Sequence, residues 1–345
     1  MRHIGKLAGV VLASALALSA CGTTADVTPP AQPGGTNTTA DTGNNPAPAE
    51  TGTFDPTDVA KPKDGKKLKI GAAFPILDQF LQNVADGMQK RADEAGVELV
   101  VVSAQERADL QLSQVENFVA QGMDGVIILP QDTEATQPMT DALVAAKIPL
   151  VYVNRRPANL DPSIPYAGSD SLVSGVLQME ELVKLSGGKG NVAILQGDPS
   201  QEAAQLRTQG CKDVIAKNPD MKLIREQAGN WYREKGLQIT ENWIQSGDQI
   251  DIICSNNDEM ALGAIQALKQ AGMLDKVLVG GVDATADALI AMEAGELEVT
   301  VFQDAQGQGA AGVDSIIRMY NGETVPSYID IPYQLVTPEN MADFK

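Results

Sequence analysis

Residues 68–103, LKIGAAFPILDQFLQNVADGMQKRADEAGVELVVVS, decide the fold. An apolar run at Leu68 to Phe74 and a β-branched run at Glu98 to Ser103 have the length of strands, and a helix-length segment separates them. Neither run alternates polar with apolar, so both faces of each strand are covered, as in a parallel sheet with helices on either side. The same unit recurs along the chain. Further strand-length runs lie at Gly125 to Leu129, Leu150 to Val153, Asn191 to Leu195, Ile250 to Cys254, Lys276 to Val282 and Glu298 to Phe302. Helical spacing fills the intervals, for example Leu112, Val115 and Val119, or Met260, Ala264, Ile265 and Leu268. A strand and a helix in roughly 25 to 30 residues is the period of successive βαβ units, which makes the chain α/β and doubly wound.

In open parallel sheets, ligands bind beyond the carboxyl ends of the strands, so the residues following each run are the candidates for a site. Phe74 is followed by Asp78, Gln79 and Phe80, Val153 by Asn154 and Arg155, and Leu195 by a loop through Gln201 to Arg207. Cys254 precedes Asn257, Val282 precedes Asp283, and Phe302 precedes Gln303. Carboxylates accept from hydroxyls, amides donate and accept, and a guanidinium fork grips two neighbouring oxygens. Phe80 and Trp231 offer flat apolar faces to the C–H side of a ring. Together the set suits a small polyhydroxylated ring. For any single Asp or Asn here, a cap on the following helix is as good an explanation as ligand contact; six such positions together weaken it.

The N-terminus carries a different message. Arg2, His3 and Lys6 precede an apolar run from Leu7 to Ala20, which ends in Leu18-Ser19-Ala20-Cys21. That pattern is a lipoprotein leader with Cys21 as the lipidated residue, and the run falls short of the about 20 residues that span a bilayer. Residues 21–66 are rich in Thr, Pro, Gly, Ala and Asn, and read as a disordered tether. A net charge of -19 disfavours a nucleic-acid partner. His3, within the leader, is the only histidine, which removes Ser-His-Asp and Cys-His nucleophiles and histidine-ligated zinc. Cys211 and Cys254 remain as one pair whose state the sequence leaves open.

The stretches Asn256-Asn257-Asp258-Glu259-Met260-Ala261, Gly281-Val282-Asp283-Ala284-Thr285, Asn230-Trp231 and Thr300-Val301-Phe302-Gln303-Asp304 resemble the periplasmic sugar-binding proteins of the ribose, glucose/galactose and inositol/rhizopine group. These are type I periplasmic binding proteins, receptors of ATP-binding-cassette importers, and the resemblance covers about residues 67–336. It implies two lobes of like topology joined by a three-strand hinge and closing over the ligand. It further implies ligand contacts at Asp78, Phe80, Asn154, Arg155, Arg207, Trp231, Asn257, Asp283 and Gln303, with crossings near Gly168, Gln303 and Pro326. The expected lobes are 67–168 plus 304–326, and 169–303 plus 327–345. Where glucose/galactose receptors carry a His and an Asp, this chain has Gln201 and Ala203, and Ser186 to Gly190 lacks their calcium-binding carboxylates. Trp231 and the run from Val151 to Pro157 are closer to the inositol and rhizopine receptors.

The expectation is therefore a binding protein and not an enzyme. It is a monomer without cofactor or metal, anchored by lipid outside the cytoplasm of a bacterium, in the periplasm or on the outer face of the cytoplasmic membrane. It would hand a cyclitol or monosaccharide to an ABC permease; a sensor pathway is the alternative destination. One motif points elsewhere: Gly307-Gln308-Gly309-Ala310-Ala311-Gly312 spells a dinucleotide fingerprint, but it lies too near the C-terminus to complete a nucleotide-binding half. Packing of a helix through small residues explains it better.

Overall fold

The structure, a computed structural model, describes residues 51–345. The leader and Cys21 lie outside the described residues. Two parallel sheets organise the rest. The first has the order β1 (Thr51–Thr53), β12 (Tyr328–Asp330), β6 (Tyr166–Gly168), β5 (Leu150–Val153), β4 (Gly125–Ile128), β2 (Lys69–Phe74) and β3 (Glu98–Ser103), numbered along the chain. The second runs β10 (Leu278–Gly280), β9 (Ile252–Ser255), β7 (Gly190–Gln196) and β8 (Met221–Ala228). Parallel bridges from Gly280 to Val299 and from Asp283 to Phe302 extend it into β11 (Thr300–Phe302), which pairs antiparallel with β13 (Gln334–Val336). With β1 set aside at the edge, the strand that opens each lobe's βα series, β2 in the first and β7 in the second, sits between the next two, so both sheets reverse direction at the same place, the position where α/β folds open a crevice.

Each sheet is covered on both faces, which is why its central strands are apolar. In the first lobe, α1 (Gln79–Ala95) and α9 (Ala305–Tyr320) pack together on one face, and α2 (Ala108–Ala120) and α3 (Gln137–Ala146) on the other. In the second lobe, α4 (Ser171–Ser186) pairs with α5 (Glu202–Ala216) and α6 (Arg233–Gln245) with α7 (Asp258–Ala271), while α8 (Ala286–Glu293) joins the α7 side. Trp243 is buried in that core. The glycine motif works by close approach. A Cβ on Gly309 would stand 2.2 Å from the Val84 carbonyl oxygen, and one on Gly312 would stand 2.8 Å from the Val153 side chain. These absences seat α9 against α1 and the sheet.

Two sequence expectations need correction. The tether does not run unstructured to residue 66: Thr51–Thr53 pair in parallel with Tyr328–Asp330 at the sheet edge. Phe54 then lies under the Arg91 guanidinium at 5.5 Å, Arg91 donates to the Pro56 carbonyl at 2.8 Å, and Ala60 is buried. An open sheet edge supplies hydrogen bonds that composition alone cannot reveal. The third crossing is also not near Pro326. Tyr328–Asp330 pairs with Tyr166–Gly168 in the first lobe, so the chain crosses at Ile331 to Tyr333 before β13. The other two crossings lie between β6 and α4 and between β11 and α9. Cys211 and Cys254, both buried, form a disulfide with Cα atoms 7.0 Å apart.

Candidate functional site

The carboxyl ends of the two sheets face one another across a cleft. All ten residues expected from the sequence to contact ligand line one cavity there: Asp78, Phe80, Asn154, Arg155, Gln201, Arg207, Trp231, Asn257, Asp283 and Gln303. Leu81, Ser171 and Ala203 complete the wall. An outer vestibule shares Asp78, Arg155, Gln201 and Trp231 with this cavity and provides a route to solvent. At its lip the lobes touch directly, where the Thr133 hydroxyl donates to the Ser200 carbonyl at 2.9 Å.

Capping and lining prove compatible. Asp78 caps α1 by accepting from the Leu81 N–H at 2.8 Å and still lines the cavity. Asn257 caps α7 by accepting from the Met260 N–H at 3.1 Å, while its amide donates to the Trp231 carbonyl at 3.2 Å. Asp283 caps nothing, because Thr285 holds the start of α8. The Trp231 indole N–H donates to the Gln201 side-chain oxygen at 3.1 Å, which fixes the ring edge. The far end of its ring lies against bare backbone at Gly197, where a Cβ would come within 2.2 Å of it. Backbone strain concentrates here: Asn154, Asn230, Trp231, Asp283 and Ala284 all have positive φ, between 53° and 122°.

Arg207 is the centre of the second lobe's contribution. One terminal nitrogen donates to the Asn256 carbonyl at 2.7 Å and reaches Asp283 at 3.4 Å; the other donates to Gln303 at 2.8 Å and to the Tyr333 hydroxyl at 3.0 Å. Its guanidinium also lies 5.6 Å from the Trp231 ring and 5.8 Å from that of Tyr333. Burial pushes the Asp283 carboxyl well above the ordinary range, and Arg207 works against that rise. Asp78 is likewise raised by burial, opposed by the Leu81 N–H and by Arg155. Arg155 donates to the Pro130 carbonyl at 3.3 Å, and among the described residues no carboxylate lies within ion-pair distance of it. Two carboxylates and two guanidiniums thus share a partly dry cavity, with donor capacity on Arg155 left for a ligand.

Two residues behind the wall carried no sequence signal. Tyr333 lies in the third crossing and meets Arg207 only because the chain returns there. Gln308, fully buried on α9, accepts from Asn154 at 3.0 Å and donates to Ser169 at 3.1 Å, linking the first lobe's wall to a crossing segment.

The sequence profile described as "Periplasmic binding protein domain" matches residues 74–324. The chain is a periplasmic binding protein. Members of this family are extracytoplasmic and bind solutes without transforming them. This periplasmic binding protein is 43% identical over 287 residues to a putative rhizopine-binding protein of Rhizobium meliloti, covering 80% of this chain and 92% of the relative. It is 33% identical to a xylitol-binding protein of Mycolicibacterium smegmatis, over 79% of this chain and 78% of that one. Among solved structures, an ABC transporter solute-binding protein from Bacillus halodurans with bound myo-inositol is 41% identical, with a TM-score of 0.78, over 82% of this chain and 98% of the other. Among the described residues, no helix is long and apolar enough to cross a membrane.

Proposed function

We propose that this periplasmic binding protein captures a cyclitol such as myo-inositol, held outside the cytoplasm by a lipid on Cys21, and delivers it to the permease of an ABC importer. The observation that carries the ligand reading is the single cavity where Asp78, Asn154 and Arg155 of one lobe face Arg207, Trp231, Asn257 and Asp283 of the other. A ring with a hydroxyl on every carbon presents acceptors and donors around its whole rim and C–H faces above and below. The wall offers carboxylates, amides and guanidiniums to the rim and two aromatics to the faces. The 41% identical structure with bound myo-inositol and the 43% identical rhizopine-binding relative favour a cyclitol over a pentose or hexose.

Ligand bridging both lobes stabilises the closed arrangement, and its differential affinity for closed over open shifts the population. Each ligand hydroxyl set against a buried charged group contributes about 1.5 to 3 kcal/mol, so an epimer that misplaces one leaves that group unpaired. A thermal-shift panel of inositols, pentoses, hexoses and xylitol on the leaderless protein tests the reading. A ligand at 100 times its dissociation constant stabilises by about 2.7 kcal/mol, and myo-inositol or a close isomer should give the largest rise. A rise with ribose or a hexose and none with any inositol would replace the cyclitol assignment. Recovery of altered product would remove the binding role altogether. Mass spectrometry of membrane-extracted protein, with Cys21→Ala as control, tests the anchor.

A further inference from the structure

Asp258 stands behind the cavity wall, fully buried, and is not among the residues that line it. Three donors converge on its carboxylate. One oxygen accepts from the Thr300 hydroxyl at 2.7 Å; the other accepts from the Thr285 N–H at 2.8 Å and the Thr285 hydroxyl at 3.3 Å. The Thr300 oxygen in turn accepts from the Ala284 N–H at 3.2 Å, and the Asp258 N–H donates to the Val282 carbonyl at 2.8 Å. Apart from the Thr300 hydroxyl, which itself accepts from Ala284, every group bonded here belongs to Val282, Ala284 or Thr285, on either side of Asp283.

The segment so held is a strained one. Asp283 has φ 122° and Ala284 has φ 53°, conformations that residues with side chains keep only when their surroundings over-determine them. Gly281 lets the carboxylate in: a Cβ there would sit 2.2 Å from an Asp258 oxygen. Asp258 therefore braces the turn from inside, on both sides of the two strained residues. Burial drives its carboxyl up to about 7, against the pull of the Thr285 and Thr300 bonds that favour the ionised form.

We propose that Asp258 is a positioning residue that sets the backbone of the Asp283–Ala284 turn and so aims the Asp283 carboxylate at the ligand. This rests on Asp283 being a ligand contact. Asparagine keeps the shape of Asp258 but not its charge: with its oxygen kept on the Thr285 N–H, its amide meets Thr300 as a donor, so the Thr300 hydroxyl loses its acceptor and must turn, and charge-assisted braces become weaker neutral ones.

The test is a double-mutant cycle by isothermal titration calorimetry on the leaderless protein. The ligand is whichever of myo-inositol, D-ribose and xylitol the wild type binds most tightly. Asp258→Asn should weaken binding about tenfold or more, the loss expected when a charged hydrogen bond to a ligand hydroxyl is misaimed. In an Asp283→Asn background the same change should alter affinity by less than about twofold, because the group it aims is already gone. Thr300→Val, which removes one brace and preserves shape, should follow the same pattern and covers the case in which Asp258→Asn does not fold. Additive losses, or an Asp258→Asn protein that binds like wild type while Asp283→Asn does not, would overturn the positioning role alone. If Asp283→Asn itself binds like wild type, the site assignment fails first and the positioning role with it.

Discussion

Replacing Arg207 by methionine removes a buried charge while keeping much of the side chain's apolar length. The Arg207 and Asp283 side chains are 6% and 7% exposed, so the carboxylate left behind has neither its counter-charge nor water in exchange. Breaking one side of a buried pair costs about 3 to 5 kcal/mol. Gln303, Tyr333 and the Asn256 carbonyl lose a donor as well. With about 2 to 4 °C of melting temperature per kcal/mol for a chain region of this size, the ligand-free variant should melt about 6 to 20 °C below wild type at pH 8. The deficit should shrink at pH 5. Burial already lifts the Asp283 carboxyl, and without Arg207 that rise is unopposed by its nearest cation. A carboxyl raised in the folded state takes up protons there more readily than when unfolded, so its destabilising charge is relieved as pH falls. Calorimetric scans of ligand-free wild type and Arg207→Met at both pH values decide the matter. A variant within about 2 °C of wild type at pH 8, or a deficit equal at pH 5 and pH 8, would show that Arg207 does not hold a buried Asp283 charge in the fold.

Three further outcomes are expected. Trp231→Ala should weaken ligand binding by about 30- to 100-fold, the equivalent of about 2 to 3 kcal/mol of lost apolar contact, while ligand-free melting moves less than in Arg207→Met; titration calorimetry reads the first and a thermal scan the second. Thr133→Val removes the direct bond between the lips and should speed ligand release about 2- to 12-fold in stopped-flow fluorescence with association little changed, whereas Thr133→Ser should release like wild type. Wild-type stability without ligand should fall as pH rises from 5 to 8. Burial raises Asp258 to about 7 and Asp314 to about 6, so the folded state holds protons the unfolded chain has already released, and that advantage disappears as pH passes through those values. Asp258→Asn should flatten part of the slope, which separates this effect from general self-repulsion of a chain with net charge -19.

Much of the architecture was legible because a buried parallel strand must be apolar on both faces. The runs at Leu68 to Phe74, Glu98 to Ser103 and Leu150 to Val153 match strands to within a residue or so. Met221–Ala228 escaped because it is an edge strand with mostly exposed side chains, and its MKLIREQA pattern lacks the continuous apolar signature. Tyr166–Gly168 and Tyr328–Asp330 are three residues each, too short for periodicity to register.

The site divides in the same way. The rule that ligands meet the carboxyl ends of parallel strands is local, so it picks out Asp78, Asn154, Asn257 and Asp283 from the few residues that follow each strand. What it cannot give is convergence. Arg207 meets Gln303 and Tyr333 only because the chain crosses between lobes several times, bringing residues 96 and 126 positions away to one guanidinium. The pairing of Thr51–Thr53 with Tyr328–Asp330, the brace of Asp258 behind Asp283, and the contact of Thr133 with Ser200 are likewise decisions of tertiary structure. Hydrophobic periodicity is written into each segment by its own burial. Polar partnership depends on which segments the fold places side by side, and no local pattern records that.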